Sequence, residues 1–162
     1  MHKIDTSDLF RLLLSLIICQ AAGIIGSFFT TSAIPTWYAA LQKPSFNPPN
    51  AVFAPVWITL YLLMGIALFL VWRQGVNHAG VPMAMAVFGL QLFLNVLWSY
   101  FFFGLHAPLA GFVEIVFLWT SILIAMILFY RLNALAGLLL APYLAWVSFA
   151  AVLNLSLWRL NT

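Results

Sequence analysis

Charge is what this sequence most lacks. Six basic and three acidic side chains make up only 6% of its 162 residues, where a water-soluble domain carries about 25%. A chain so poor in charge cannot cover itself with a water-facing surface. Its net charge of +3 is small and scattered, which argues against nucleic acid as a partner. Cysteine is nearly absent: the single Cys19 lies within an apolar run, which excludes an intrachain disulfide. The three histidines, His2, His78 and His106, fall outside the apolar runs, so paired-histidine haem ligation within a bilayer is not supported. No cysteine–histidine–carboxylate cluster reads as a metal site, and no nucleophile–base pair can be picked out.

Apolar residues fill the chain instead, at 65%. A bilayer-spanning helix needs ~20 mostly apolar residues. The breaks place five such spans in one domain over residues 1–162, at about 9–29, 51–73, 82–103, 108–130 and 135–158. These runs are too long and too continuous for the alternating strands of a barrel. The sequence therefore predicts an all-α membrane protein, a five-transmembrane-helix bundle, integral and multi-pass, with lipid as its surroundings. Asp5 and Asp8 spoil the basic lead of a signal peptide, and the run from Leu9 to Phe29 is too long for its apolar core, so it is read as a retained first span. Lys3, Arg11, Arg73 and Arg131 fall on the N-terminal side against Lys43 and Arg159 on the other. The positive-inside rule then favours a cytoplasmic N-terminus.

Polar residues within the spans are few and spaced. Gln91, Asn95 and Ser99 recur every four residues on span three, beside Trp98 and Phe102. That spacing stacks them on one helix face, which must meet protein or a cavity because an unpaired amide in hydrocarbon is costly. Span five aligns Tyr143, Trp146, Ala150 and Asn154 on one side, and span two aligns Phe53, Trp57 and Tyr61. Trp37, Trp72 and Trp158 sit at span ends, as an interfacial belt requires. Trp57, Trp98 and Trp146 lie deeper, and the wall of an aromatic pocket accounts for them better. Glu114 is the one acid within a span, and without a titratable companion there it is read as structural. The small residues Ala22 and Gly26, and Gly137, Ala141 and Ala145, suit close helix packing, within the chain or between two copies.

Between spans one and two, residues 30–50 form a loop with an unusual share of proline and aromatic residues, Pro44, Pro48, Pro49, Trp37, Tyr38 and Phe46 among them. Prolines stiffen such a loop and remove N–H donors that lipid could not satisfy. It is read as a lid. Lys43 within it either meets a ligand carboxylate or reaches to lipid headgroups.

The stretch "WYAALQKPSFNPPNAVFAPVWITLYLLMG" resembles the signature of the TspO family, the tryptophan-rich sensory proteins related to the mitochondrial translocator protein or peripheral benzodiazepine receptor. "LNVLWSYFFFG" (Leu94 to Gly104) and "PYLAWVSFAAVLN" (Pro142 to Asn154) agree in the same order. The resemblance implies a five-helix bundle, often a homodimer, that binds porphyrins such as protoporphyrin IX and isoquinoline- or benzodiazepine-like drugs beneath the first loop. Carried over by position, Trp57, Asn95, Trp98, Trp146 and Ala150 match pocket-lining positions and Tyr38 matches the lid; Tyr61 joins them through its helix face. No obligatory cofactor or metal is expected. Phe46 stands where many relatives have tryptophan. Arg159 is the first basic residue after Tyr143, too distant for the sterol pattern of animal members, so sterol is not an expected partner. The functions implied are sensing, regulation or transport of tetrapyrroles. The alternatives are a light- and oxygen-dependent porphyrin-degrading enzyme resting on Trp57 and Trp146, or an amphiphile transporter.

Overall fold

The computed structural model describes residues 5–162; His2 and Lys3 lie outside them. Helix α1 spans Thr6–Ala33 and runs on through a π-helical turn, Ile34–Tyr38. It is followed by α2 (Asn50–Trp72), α3 (Val81–Ser99, continued by a π-helical turn Tyr100–Gly104), α4 (Pro108–Leu132), α5 (Ala134–Leu139) and α6 (Ala141–Leu160). Five of the resulting rods are long and apolar enough to cross a membrane, with α5 and α6 together making the fifth. No strand occurs among the described residues.

The ends of α1 follow from local chemistry. Asp5 is the N-cap: its carboxylate accepts the Asp8 N–H at 2.8 Å and the Ser7 hydroxyl at 2.8 Å. These bonds, the backbone one foremost, hold its carboxyl below the ordinary value, so the cap's contribution is present at neutral pH and lost as pH falls through that lowered value. At the other end, hydropathy places the end of span one near Phe29, but the helix continues to Tyr38 and the lid shortens to about residues 41–49. The hydroxyls of Ser27, Thr30, Thr31 and Thr36 donate to carbonyls of their own helix, those of Ile24, Ser27, Ser27 and Ser32. Self-satisfied in this way, they let the helix persist through a stretch of sequence that reads as polar. The widened π turn also accommodates Pro35, which has no N–H to give.

The fifth span is likewise not one straight rod. It breaks at Leu140, just before Pro142 enters the first turn of α6. Gly137 lies against α4, where an added Cβ would stand 2.6 Å from the Tyr130 Cα. The core is built around wholly enclosed Met64, Ile122 and Phe129, with Phe88 and Phe129 stacked at 5.2 Å. On the end away from the lid, Asp8 joins α1 to α2 through Arg73, Nε to Oδ2 at 2.9 Å, with Arg11 at 3.6 Å. The backbones of α1 and α2 come close at Gly65, where a Cβ would lie 3.0 Å from the Leu16 Cα.

Candidate functional site

Beyond that tight contact the helices enclose a cavity of about 570 Å³, within the range of small-molecule sites. Trp57 and Tyr61 reach it from α2, Asn95 and Trp98 from α3, Trp146 and Ala150 from α6, and Tyr38 from the end of α1. All seven residues singled out from sequence thus meet in one space. Trp57, Trp98 and Trp146 are half-buried, each with a face left toward the cavity. The aromatic walls hold one another in place. Trp57 stacks on Tyr61 at 5.5 Å, Phe53 meets Trp146 edge-on at 6.0 Å, and Trp98 stacks on Phe102 at 5.2 Å.

The polar face of α3 is buried, as its spacing requires, and Asn95 on it is bonded on both sides of its amide. The Tyr61 hydroxyl donates to Asn95 Oδ1, and Asn95 Nδ2 donates to the Tyr143 hydroxyl at 2.9 Å. Asn95 therefore ties α2, α3 and α6 together and keeps one N–H for a ligand. Asn154 does the same work higher up: its Oδ1 accepts Trp98 Nε1–H at 3.1 Å, and its Nδ2 donates to the Pro108 carbonyl at 2.7 Å. These bonds fix the ring plane of Trp98 and the position of the amide before any ligand arrives.

The lid is fastened at both edges. Tyr38 donates its hydroxyl to Asn47 Oδ1 at 2.7 Å, and Asn47 Nδ2 donates to the Pro48 carbonyl at 3.0 Å. At the far edge Asn161, just past α6, accepts the Gln42 N–H at 2.9 Å and donates to the Gln42 carbonyl at 3.0 Å. Phe46 rests edge-on against Phe149 of α6. Lys43 is engaged by the chain itself. Its ammonium donates to the Ala39 and Leu41 carbonyls at 3.1 and 3.2 Å and lies over the Tyr38 ring, closing the exposed end of the first helix. Trp37 belongs to the helix as well, stacked on His106 at 4.6 Å.

Sequence reasoning missed α1. Gly23, Gly26, Ser27 and Thr30 form one wall of the cavity, and their spacing of three and four residues was the available signal. Gly26 lies so close to Ser99 that a Cβ would stand 3.1 Å from its Oγ, so this small-residue stripe serves packing within the chain.

Glu114 is buried in α4, and neither carboxylate oxygen has a hydrogen-bond partner among the described residues; the same holds for the Gln91 amide. An unpaired buried charge is worth strongly negative stability, so Glu114→Gln, which keeps the shape without a charge, is expected to leave thermal stability unchanged or slightly raised in detergent. Glu114→Lys should unfold much of the protein. A loss above ~2 kcal/mol for the glutamine variant would show that the carboxylate has a partner.

The model of the TspO/MBR family matches residues 15–159. "Tryptophan-rich protein TspO" of Archaeoglobus fulgidus is 43% identical over 155 residues, 95% of this chain and 99% of that relative. The protein of the same name from Chlorobaculum tepidum is 44% identical over 154 residues, 95% and 98% of the two chains. The human translocator protein is 38% identical over 140 residues, 85% of this chain and 82% of its own.

Proposed function

The chain belongs to the TspO/MBR family, and from that premise we propose that it is a multi-pass membrane protein binding porphyrins, or flat drug-like molecules of similar size, in the cavity under its lid. The observation that carries the reading is the convergence of Trp57, Trp98 and Trp146, from three helices, on one preformed space. A planar ring system gains contact area and offset stacking against indoles whose orientation is already fixed. The free N–H of Asn95 offers one directional contact at the floor. The lining carries no histidine, lysine, aspartate or glutamate, so the side chains supply binding and no acid–base machinery. Binding that sequesters or signals a tetrapyrrole is the activity this supports.

The test is titration of the protein in lipid nanodiscs with protoporphyrin IX in the dark, followed by tryptophan quenching. Saturable binding in the micromolar range, weakened by Trp146→Phe, is the expected result. Quenching that rises without saturation, or is indifferent to Trp146, would overturn the reading.

The lid fastening gives a separate expectation. Asn161→Ala removes two hydrogen bonds to Gln42, each worth roughly 1 kcal/mol, and should speed porphyrin release by up to about 30-fold, leaving the folded fraction unchanged. Stopped-flow displacement measures this, and an unchanged release rate would mean that ligand does not leave past the lid.

A further inference from the structure

We infer that His106 is a positioning residue for the lid: its imidazole latches the root of the lid through Trp37, and the latch tightens when the imidazole is protonated. The inference holds whatever the cavity binds.

It comes from a side chain held at a conformational cost against a single contact. His106 lies in the short connection between α3 and α4, and its φ of 53° is the one positive value of a non-glycine residue among the described residues. A left-handed backbone is disfavoured for a residue with a Cβ and persists only where the surroundings hold it. Here the second π turn holds it. The Leu105 N–H donates to the Tyr100 carbonyl at 2.8 Å, and the Ala107 N–H donates to the Phe101 carbonyl at 3.2 Å. Between these two bonds the His106 ring lies flat on Trp37, with centroids 4.6 Å apart and planes 12° from parallel.

Trp37 stands where the first helix gives way to the lid. Its indole also meets Phe102 and Phe103 edge-on, at 5.5 and 6.4 Å, so three rings from the α3–α4 end enclose it. The next residue, Tyr38, holds the lid through Asn47. A shift of Trp37 therefore carries Tyr38 and the lid with it.

Charge sets the strength of the stack. A neutral imidazole offers Trp37 an ordinary aromatic contact, whereas an imidazolium places a cation over the indole face. Other charged groups at this end are few. Lys43 on the lid gives its ammonium to the Ala39 and Leu41 carbonyls, Arg159 is exposed in the last turn of α6, and Glu114 is buried in α4. Tyr38 donates to Asn47, and Tyr100 packs against Phe29 and Phe101. Among the described residues none of these is paired with His106. The negative end of α3 and the positive end of α4 flank it and oppose each other. His78 sits in the α2–α3 connection, at the other end of the bundle.

The test is hydrogen exchange followed by mass spectrometry, on the full chain in phosphatidylcholine nanodiscs between about pH 5 and 8, the range in which imidazole side chains change charge. Rates are corrected for the intrinsic pH dependence of amide exchange. The reporters are the lid N–H groups of Leu41, Gln42 and Asn47, bonded to the Tyr38 carbonyl, Asn161 and the Pro44 carbonyl. In the wild type their protection should rise about 2- to 5-fold as pH falls, the gain of an exposed cation–π contact, while α2 and α4 stay level. His106→Asn keeps a residue that tolerates the left-handed backbone and removes the ring. At the acid end its lid should exchange about 3- to 10-fold faster than the wild type's, with the pH dependence gone. His106→Gly, which is also free of backbone strain, should behave the same way. Wild-type lid protection that ignores pH, a pH dependence that survives both substitutions, or exchange raised equally over α2, α4 and the lid in both variants would each overturn the inference.

Discussion

Ala150→Leu is expected to lower the affinity for protoporphyrin IX by about 10- to 100-fold with the bundle still folded. Ala150 is one of the smallest groups on the cavity wall and is half-buried, one turn beyond Trp146 on α6. A leucine there projects into the space the ligand would use. The surrounding rings cannot retreat to accommodate it: Trp146 is in contact with Phe53 and Phe149, and Trp98 with Phe102 and Asn154. Overfilling a close-packed site costs ~1–3 kcal/mol, and in an empty cavity that cost falls on the ligand rather than on the fold. Val152→Leu adds bulk two residues away on a face exposed to lipid, at 56%, and should leave affinity unchanged. The measurement is the same quenching titration. Equal affinity for wild type and Ala150→Leu would place the porphyrin elsewhere.

Gly137→Ala should produce the largest loss of stability of any single methyl group added to this chain, about 3 kcal/mol or more. Its Cβ would stand 2.5 Å from the Tyr130 Cβ, 2.6 Å from the Tyr130 Cα and 2.7 Å from its nitrogen. Two of these atoms are backbone, so no rotamer change relieves the clash. Separating them means moving α5 off α4, which also pulls on Asn133, whose side chain caps α5 by accepting the Ala136 N–H at 3.0 Å. Gly89→Ala is the control. It lies in the middle of α3, where an added Cβ meets nothing within 4 Å, and alanine there should raise stability by ~0.5–1 kcal/mol. Thermal denaturation followed by size-exclusion fluorescence would rank the two, and a stable Gly137→Ala protein would contradict the close approach of α5 to α4.

How much of this could be read beforehand divides along one physical line. Wherever side chains meet something chemically unlike themselves, the pattern was legible. The apolar runs against water gave five spans, and the amide stripe of Gln91, Asn95 and Ser99 against hydrocarbon gave a buried face. Helical spacing alone put Trp57 with Tyr61, Asn95 with Trp98 and Trp146 with Ala150. Wherever like meets like, the pattern is blank. Lipid tails and a protein interior are equally apolar, so Ile17 on the outer side of α1 and Ile122 in the core differ in exposure, 62% against 0%, with no trace of that difference in the residue type. The wall contributed by α1 carries a spacing signal that was not used, and its Thr30, Thr31 and Thr36 read as a loop because their bonds to carbonyls of the same helix are invisible in sequence.

The sequence by itself determined the class of molecule and the number of spans through composition and run length, and grouped Trp57 with Tyr61, Asn95 with Trp98 and Trp146 with Ala150 through a 3.6-residue period; the family and the place of Tyr38 at the lid came from the resemblance of its motifs. Only the tertiary structure decided what those residues do to one another. Asn95 holds two tyrosines, Lys43 closes a helix end, Asn161 fastens the lid across 119 positions of chain, and the Glu114 carboxylate has no hydrogen-bond partner among the described residues. Each depends on distances between helices remote in sequence, and those distances are set by packing that no local pattern encodes.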